Sequence, residues 1–187
     1  KTTVAGILRE WGAQVVDVDR LVHQLFLPGT SVYQKVGEAF GEKVFRGDGA
    51  IDRKRLGEIV FADPKKRLLL EELTHPAVIA QVRQVTAQLR KQDLDGVVDV
   101  PLLFEAGMEN DFDQVWVVAA PSALQLARVQ TRNGLDREEA RRRVDAQMPL
   151  AEKITRADQV IYNEGTREEL AQAVKDLWLR TVKKGRN

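Results

Sequence analysis

Residues able to hold or move a phosphoryl group recur along the whole chain. It opens Lys1-Thr2-Thr3 and passes at once into an amphipathic segment. A lysine and a hydroxyl residue at a helix start form the closing pair of the pattern G-x-x-x-x-G-K-[ST]. In that loop backbone N–H groups hold phosphates, the lysine reaches the outer phosphates and the hydroxyl binds Mg²⁺. The same pair is equally a solvated helix start. Asp19 follows Gln-Val-Val-Asp-Val (14–18) at the carboxyl end of a predicted strand, where ligands sit in open α/β sheets. A carboxylate there can take a proton from an acceptor hydroxyl, cap the next helix, or do both. Asp17, two residues earlier in the strand pattern, would share its face, which suits metal binding through water or a structural hydrogen bond. Asp99 interrupts the apolar run Val97-Val98-Asp99-Val100, where an unpaired carboxylate is costly to bury. A metal would satisfy it, and so would backbone or threonine donors nearby.

Elements of regular period must hold these groups in place. Val4, Ile7, Leu8 and Trp11 form one helical stripe, and Gly12 is placed to end that helix. Residues 14–18 read as a strand, and Asp19 as the cap of a helix from Arg20 to about Phe26, broken at Pro28-Gly29. From Thr30 to about Arg90 the pattern is helical in several segments, with breaks at Gly41, Gly47-Asp48-Gly49, Asp63-Pro64 and His75-Pro76. Strands follow at 97–101, 115–120 and 157–162. Helices are predicted at 123–132, at 136–147 with Asp136 and Glu139 as a capping box, and from Thr166 to about Lys183 with Glu169 completing its box. Strands that are apolar throughout and separated by helices mean a parallel sheet covered on both faces.

Composition narrows the function. The 187 residues are 43% hydrophobic and 30% charged, with 29 basic against 28 acidic residues for a net charge of +1. Such balance and so few aromatics argue against a nucleic-acid binder. Without cysteine there is no disulfide frame, thiolate metal site or cysteine nucleophile, and His23 and His75 are too far apart in sequence to make a histidine-rich metal site alone. No apolar run reaches the roughly 18 residues that would span a bilayer, and the start is unlike a signal peptide. A cytoplasmic protein, a monomer or weak homo-oligomer, is the expectation.

One family is similar to this sequence along nearly all of it. Val15 to His23 resembles the D-x-D strand end of the dephospho-CoA kinases, and Leu73-Thr74-His75-Pro76 their His-Pro step. Val98 to Glu105 is similar to their D-x-P-L-L-F-E segment, and Gln125 to Leu135 to the approach to their lid. Arg143 to Gln147 and Ala157 to Thr166 complete the series. The resemblance implies a P-loop kinase fold: an α/β parallel sheet flanked by helices, with a helical substrate-domain insertion and a small lid. It assigns 1–28 and 93–187 to the nucleotide-binding core, 29–92 to the substrate domain and 132–156 to the lid. It also implies that the chain as given starts within the phosphate loop, after a central strand whose loss would split the sheet. The departure at His23, where many relatives carry arginine, leaves no role assigned there.

The resemblance further implies transfer of the ATP γ-phosphate to the ribose 3′-hydroxyl of dephospho-CoA. Lys1, Asp19 and Arg132 would be catalytic, with Asp19 the base. Lys1, Thr2, Thr3, Arg132, Arg143, Asn163 and Gly165 would bind ATP, and Thr2 and Asp99 would hold Mg²⁺. Asp19, His75 and Phe104 would meet dephospho-CoA, and Lys153 would approach the nucleotide. A guanidinium stays charged and forks onto phosphate oxygens, which suits Arg132 and Arg143 to a lid. The bland readings stand beside these. Arg141-Arg142-Arg143 is also a solvated helix face, Asn163-x-Gly165 a plain turn, and His75 a helix cap. Another small-molecule kinase of adenylate or shikimate type, or a kinase-derived binding protein, would share the fold.

Overall fold

The computed structural model describes residues 1–185. Helix α1 (Thr2–Glu10) turns its apolar stripe inward, burying Val4, Ile7 and Leu8. Gly12, at φ +90°, makes the turn into strand β1 (Gln14–Asp17). Helix α2 (Val18–Leu25) follows without a loop.

The insertion is helical, as its pattern predicts. Helix α3 (Ser31–Phe40) is capped by Thr30, whose hydroxyl accepts the Tyr33 N–H at 3.1 Å. Helix α4 (Arg53–Ala62) is capped by Asp52. Helix α5 (Pro64–Lys91) begins with proline at its first position beneath the Asp63 cap, where the missing N–H costs nothing. The break predicted at His75-Pro76 does not occur: α5 runs through Pro76. An internal proline forfeits one backbone bond and costs a helix about 3 kcal/mol. Here α2, α3 and α4 all pack against α5 and hold its two halves in line. Phe26, Val32, Val36, Phe40, Val44, Ile51, Leu56 and Val60 give the insertion an apolar core of its own.

Strand β2 (Gly96–Asp99) pairs parallel with β1, and β3 (Trp116–Ala119) pairs parallel with β4 (Gln159–Tyr162). Between β3 and β4 lie α6 (Ser122–Asn133), α7 (Arg137–Asp145) and α8 (Leu150–Thr155), of which the sequence pattern did not predict α8. Helix α9 (Arg167–Gly185) closes the fold by packing on α1. Val4, Ile7 and Leu8 meet Leu170, Val174 and Leu177 there, and the Trp116 and Trp178 rings touch edge to face at 6.4 Å.

The strands form two parallel pairs, and among the described residues nothing joins β2 to β3. A cavity of about 1470 Å³ lies between them, bounded by all of β2, by Trp116, Val117 and Val118, and by Lys1, Val4 and Leu8 of the α1 side. A strand edge left without a partner there faces this cavity from each side, so it is open to one further parallel strand.

Candidate active site

The acidic groups collect where β1 and β2 end. In the parallel register Asp17 stands opposite Asp99. Asp17 caps α2, its Oδ1 accepting the Asp19 N–H at 2.9 Å. The cap is thus Asp17 and not Asp19, and the two do not share a strand face. The chain enters the helix at Val18, which carries Asp19 into the first helical turn. The correction bears on chemistry, because Asp17 takes over the backbone duty. The Asp19 carboxylate, open to solvent, forms no hydrogen bond among the described residues.

Asp19 holds its proton more tightly than an ordinary aspartate. The largest cause is the concave mouth around it, where protein displaces part of the hydration that an anion needs. The negative charge of Asp17 adds to this, as does that of Asp99, while Lys1 and Arg53 pull the other way.

Across the cavity lie the cations. Lys1 precedes α1 and lines the large cavity with Asp99, Arg128 and Arg132; Thr2 and Thr3 form the exposed first turn. Arg132 ends α6 and donates to Asn133 at 2.9 Å. Arg128 donates to the Asn163 carbonyl and side-chain oxygens at 3.3 and 3.2 Å. Sequence reasoning passed over Arg128, although it lies four residues before Arg132 and so shares its helix face.

Asn163 prolongs the β3–β4 ladder, its N–H donating to Ala119 at 2.8 Å. Gly165 has a structural task. A β-carbon there would stand 2.1 Å from Glu169 Oε2, the atom that accepts the Thr166 N–H at 2.8 Å, while Thr166 Oγ1 accepts the Glu169 N–H at 3.2 Å. The capping box read from sequence therefore closes over this glycine.

The lid arginines separate by face. Arg141 and Arg142 pair on the surface with Asp145 and Glu138 within α7. Arg143 turns inward, its guanidinium 4.9 Å from the Phe61 ring centroid of α4. Glu105, which the sequence placed in the segment matched to the family without a role of its own, has one here. Its Oε1 accepts the Met148 N–H and the Lys153 ammonium, each at 2.8 Å, with the Glu105 and Lys153 side chains only 17% and 13% exposed. Burial opposes ionisation of Glu105, but these donors outweigh it and hold its carboxyl below the usual range. Lys153, expected near the nucleotide, is engaged by this pair.

Phe104 packs among Val115 and Val117, with the Arg156 guanidinium 5.3 Å from its ring. His75 lies within α5, half-buried and lining the large cavity, so its alternative as a helix cap falls away. Asp19, Phe61, Asn133 and Arg143 also line a second pocket of about 820 Å³, with Arg20, His23 and Arg53. Asp19 thus stands where two cavities meet.

Among the described residues no cluster of three or more His, Cys, Asp or Glu could cage a metal. Thr2 and Asp99 offer oxygen donors, and Mg²⁺ asks for no more. It keeps waters and binds through one or two carboxylates together with substrate phosphates, so this donor set fits it.

A core of parallel strands flanked by helices, with lysine, arginines and an acidic strand end lining one cavity, is the architecture of a P-loop kinase of small molecules. Comparison with known proteins narrows the class. A family profile described as dephospho-CoA kinase matches residues 1–169. The dephospho-CoA kinase of Symbiobacterium thermophilum is 46% identical over 179 residues, 95% of this chain and 75% of that protein. That of Thermosynechococcus vestitus is 47% identical over 175 residues, 93% of this chain and 85% of that protein. Among solved structures, dephospho-CoA kinase from Campylobacter jejuni superposes with a TM-score of 0.71 at 29% identity, covering 100% of this chain and 92% of that one. A protein from Thermus thermophilus gives 0.74 at 37% identity, covering 96% and 90%. The chain belongs to the dephospho-CoA kinase family.

Proposed function

We propose that Asp19 is the base in the reaction of this family, transfer of the ATP γ-phosphoryl group to the ribose 3′-hydroxyl of dephospho-CoA. That reaction, the last step of coenzyme A synthesis, is a phosphotransfer to an alcohol. It needs charge neutralised, groups held in line and a proton removed from the acceptor. The observation that carries the assignment is the division of labour between Asp17 and Asp19. With Asp17 capping α2, the Asp19 carboxylate is uncommitted at the junction of the two cavities. Its raised pKa makes it a better base than an ordinary aspartate.

Lys1 and Arg132 neutralise the phosphates on the side of the large cavity, with Thr2 and Thr3 at the start of α1. Arg128 holds Asn163 in place beside them. Thr2 and Asp99 would hold Mg²⁺, which would supply charge neutralisation for the phosphates. Arg143 closes from the lid. His75 faces the acceptor from α5, and Phe104 supports the wall behind it from the core. Residues 29–92 act as the acceptor's domain, 132–156 as the lid, and 1–28 with 93–187 as the nucleotide core. Among the described residues no helix is long and apolar enough to cross a membrane, and the reading places the enzyme in the cytoplasm with its small-molecule substrates.

The test is ADP release by the full-length protein with ATP, Mg²⁺ and one of dephospho-CoA, AMP, shikimate or adenosine. Turnover with dephospho-CoA alone, lost in Asp19→Asn, is the expected result. Undiminished turnover in that variant would remove Asp19 from the mechanism.

A further inference from the structure

The second pocket is more basic than base chemistry requires. Its charged lining is Asp19, Arg20, Arg53 and Arg143. The acidic partners that surface arginines usually find are missing. Among the described residues none of these three guanidiniums forms an ion pair, although Arg141, Arg142 and Arg156 close by all do. Arg143 rests on the Phe61 ring instead. Arg53 Nη1 lies 2.8 Å from His23 Nδ1, so an imidazole nitrogen of α2, and no carboxylate, fixes the guanidinium. That bond holds Arg53 in place without cancelling its charge. Its charge also reaches Asp19.

Lys1, Asp99, Arg128 and Arg132 line only the large cavity, whereas Arg20, His23 and Arg53 line only the second pocket. Two anionic ligands must meet at Asp19, and the structure offers each its own set of cations. Dephospho-CoA carries a diphosphate on the 5′-carbon of the ribose whose 3′-hydroxyl reacts, so an anion site in the same pocket as the base matches its chemistry.

We propose that Arg53, held by His23, binds the diphosphate of dephospho-CoA in the second pocket and so sets the ribose 3′-hydroxyl against Asp19. The inference rests on the reading of Asp19 as the base beside the acceptor. It gives His23 a task that does not need arginine at that position: a ring nitrogen orients the guanidinium of a residue 30 positions away in sequence. Arg53 is exposed at the first turn of α4, whose cap is Asp52, so its replacement leaves the fold intact.

Steady-state kinetics of the full-length protein test this, with Arg53→Ala, Arg53→Lys and His23→Leu beside Asp19→Asn. In Arg53→Ala the KM for dephospho-CoA should rise about 10- to 100-fold, the worth of a charge-assisted hydrogen bond pair. The KM for ATP and kcat should hold within about twofold. Arg53→Lys should recover part of the loss, and His23→Leu should show a smaller rise of the same kind, about threefold. Inorganic pyrophosphate should compete with dephospho-CoA in the parent protein and lose that competition in Arg53→Ala. A fall in kcat at unchanged KM would overturn the proposal, making Arg53 a tuner of Asp19. A raised KM for ATP, unchanged constants, or pyrophosphate inhibition indifferent to Arg53 would each overturn it as well. Asp19→Asn should lose kcat and keep KM, so failure of the base assignment shows separately.

Discussion

Two carboxylates of this molecule are treated in opposite ways. Glu105 is nearly enclosed and receives the Lys153 ammonium and the Met148 N–H. Asp19, at the cavity mouth, accepts no hydrogen bond among the described residues and lies near two further acidic groups. The protein stabilises the anion at Glu105 and destabilises it at Asp19. A group committed to partners holds structure, whereas a group left in an unfavourable charge state is available to react.

The strongest way to break the comparison is Asp19→Asn. Loss of a general base lowers kcat by about 10²- to 10⁴-fold. Stability should move the other way. Because the folded-state pKa of Asp19 is raised, its protonated form favours the fold. That contribution is present below the unfolded value of 3.8 and is lost as pH rises through the folded value. Above the folded value the ionised carboxylate therefore opposes folding. Asn should raise Tm slightly at pH 7 and not at all near pH 3. A lowered Tm at pH 7 would show that Asp19 serves structure after all.

Glu105→Gln is the counterpart and should cost stability. It leaves the Lys153 ammonium enclosed without its anion, a loss of about 2 kcal/mol, or roughly 6 °C in Tm for a chain of this size. The folded pKa of Glu105 is depressed, so the stability it contributes is present above the unfolded value of 4.5 and disappears as pH falls through the folded value. Thermal scans from pH 7 down to pH 3 should show the parent and variant converging. Curves that stay parallel would mean that the ion pair contributes nothing.

How far these features were legible depends on the range of the forces behind them. Helix ends set by local bonds were readable: Asp136 caps α7 through Glu139, and Thr166 with Glu169 closes the last box. The strands were legible as apolar runs, though each forms only four residues of ladder. Pro76 misled because the packing of α5 against three other helices outweighs a local preference. Helix α8 was passed over because six residues make too short a period to detect. Motif and resemblance proposed Asp19, Lys1 and Arg132 as site residues. They left Glu105 without a role and did not single out Arg53, since the partners of these two lie 48 and 30 positions away. The exchange of roles between Asp17 and Asp19 turned on one residue of helix start, finer than pattern reading resolves.

A smaller effect is expected at the lid. The Arg143 guanidinium over the Phe61 ring joins α7 to α4, an interaction worth about 0.5–1 kcal/mol at an accessible site. Phe61→Leu should keep the apolar packing, lose the ring face and raise the KM of both substrates by about two- to fivefold. Phe61→Tyr should restore it. Equal kinetics for Leu and Phe would assign the contact to packing alone.

The finest test separates the causes acting on Asp19. Asparagine caps helices as well as aspartate, so Asp17→Asn should keep the bond to the Asp19 N–H and leave Tm nearly unchanged. It removes the like charge that, after burial, most raises the Asp19 pKa. The acid limb of the kcat/KM profile should therefore move to lower pH, with activity at the plateau retained. Glu105 takes no part in this, so Glu105→Gln should leave that limb in place. A limb unmoved by Asp17→Asn would mean that the shape of the mouth alone tunes the base. A fall in the plateau itself would show that Asp17 binds a group in the reaction, and its pairing opposite Asp99 would then identify that group as the metal.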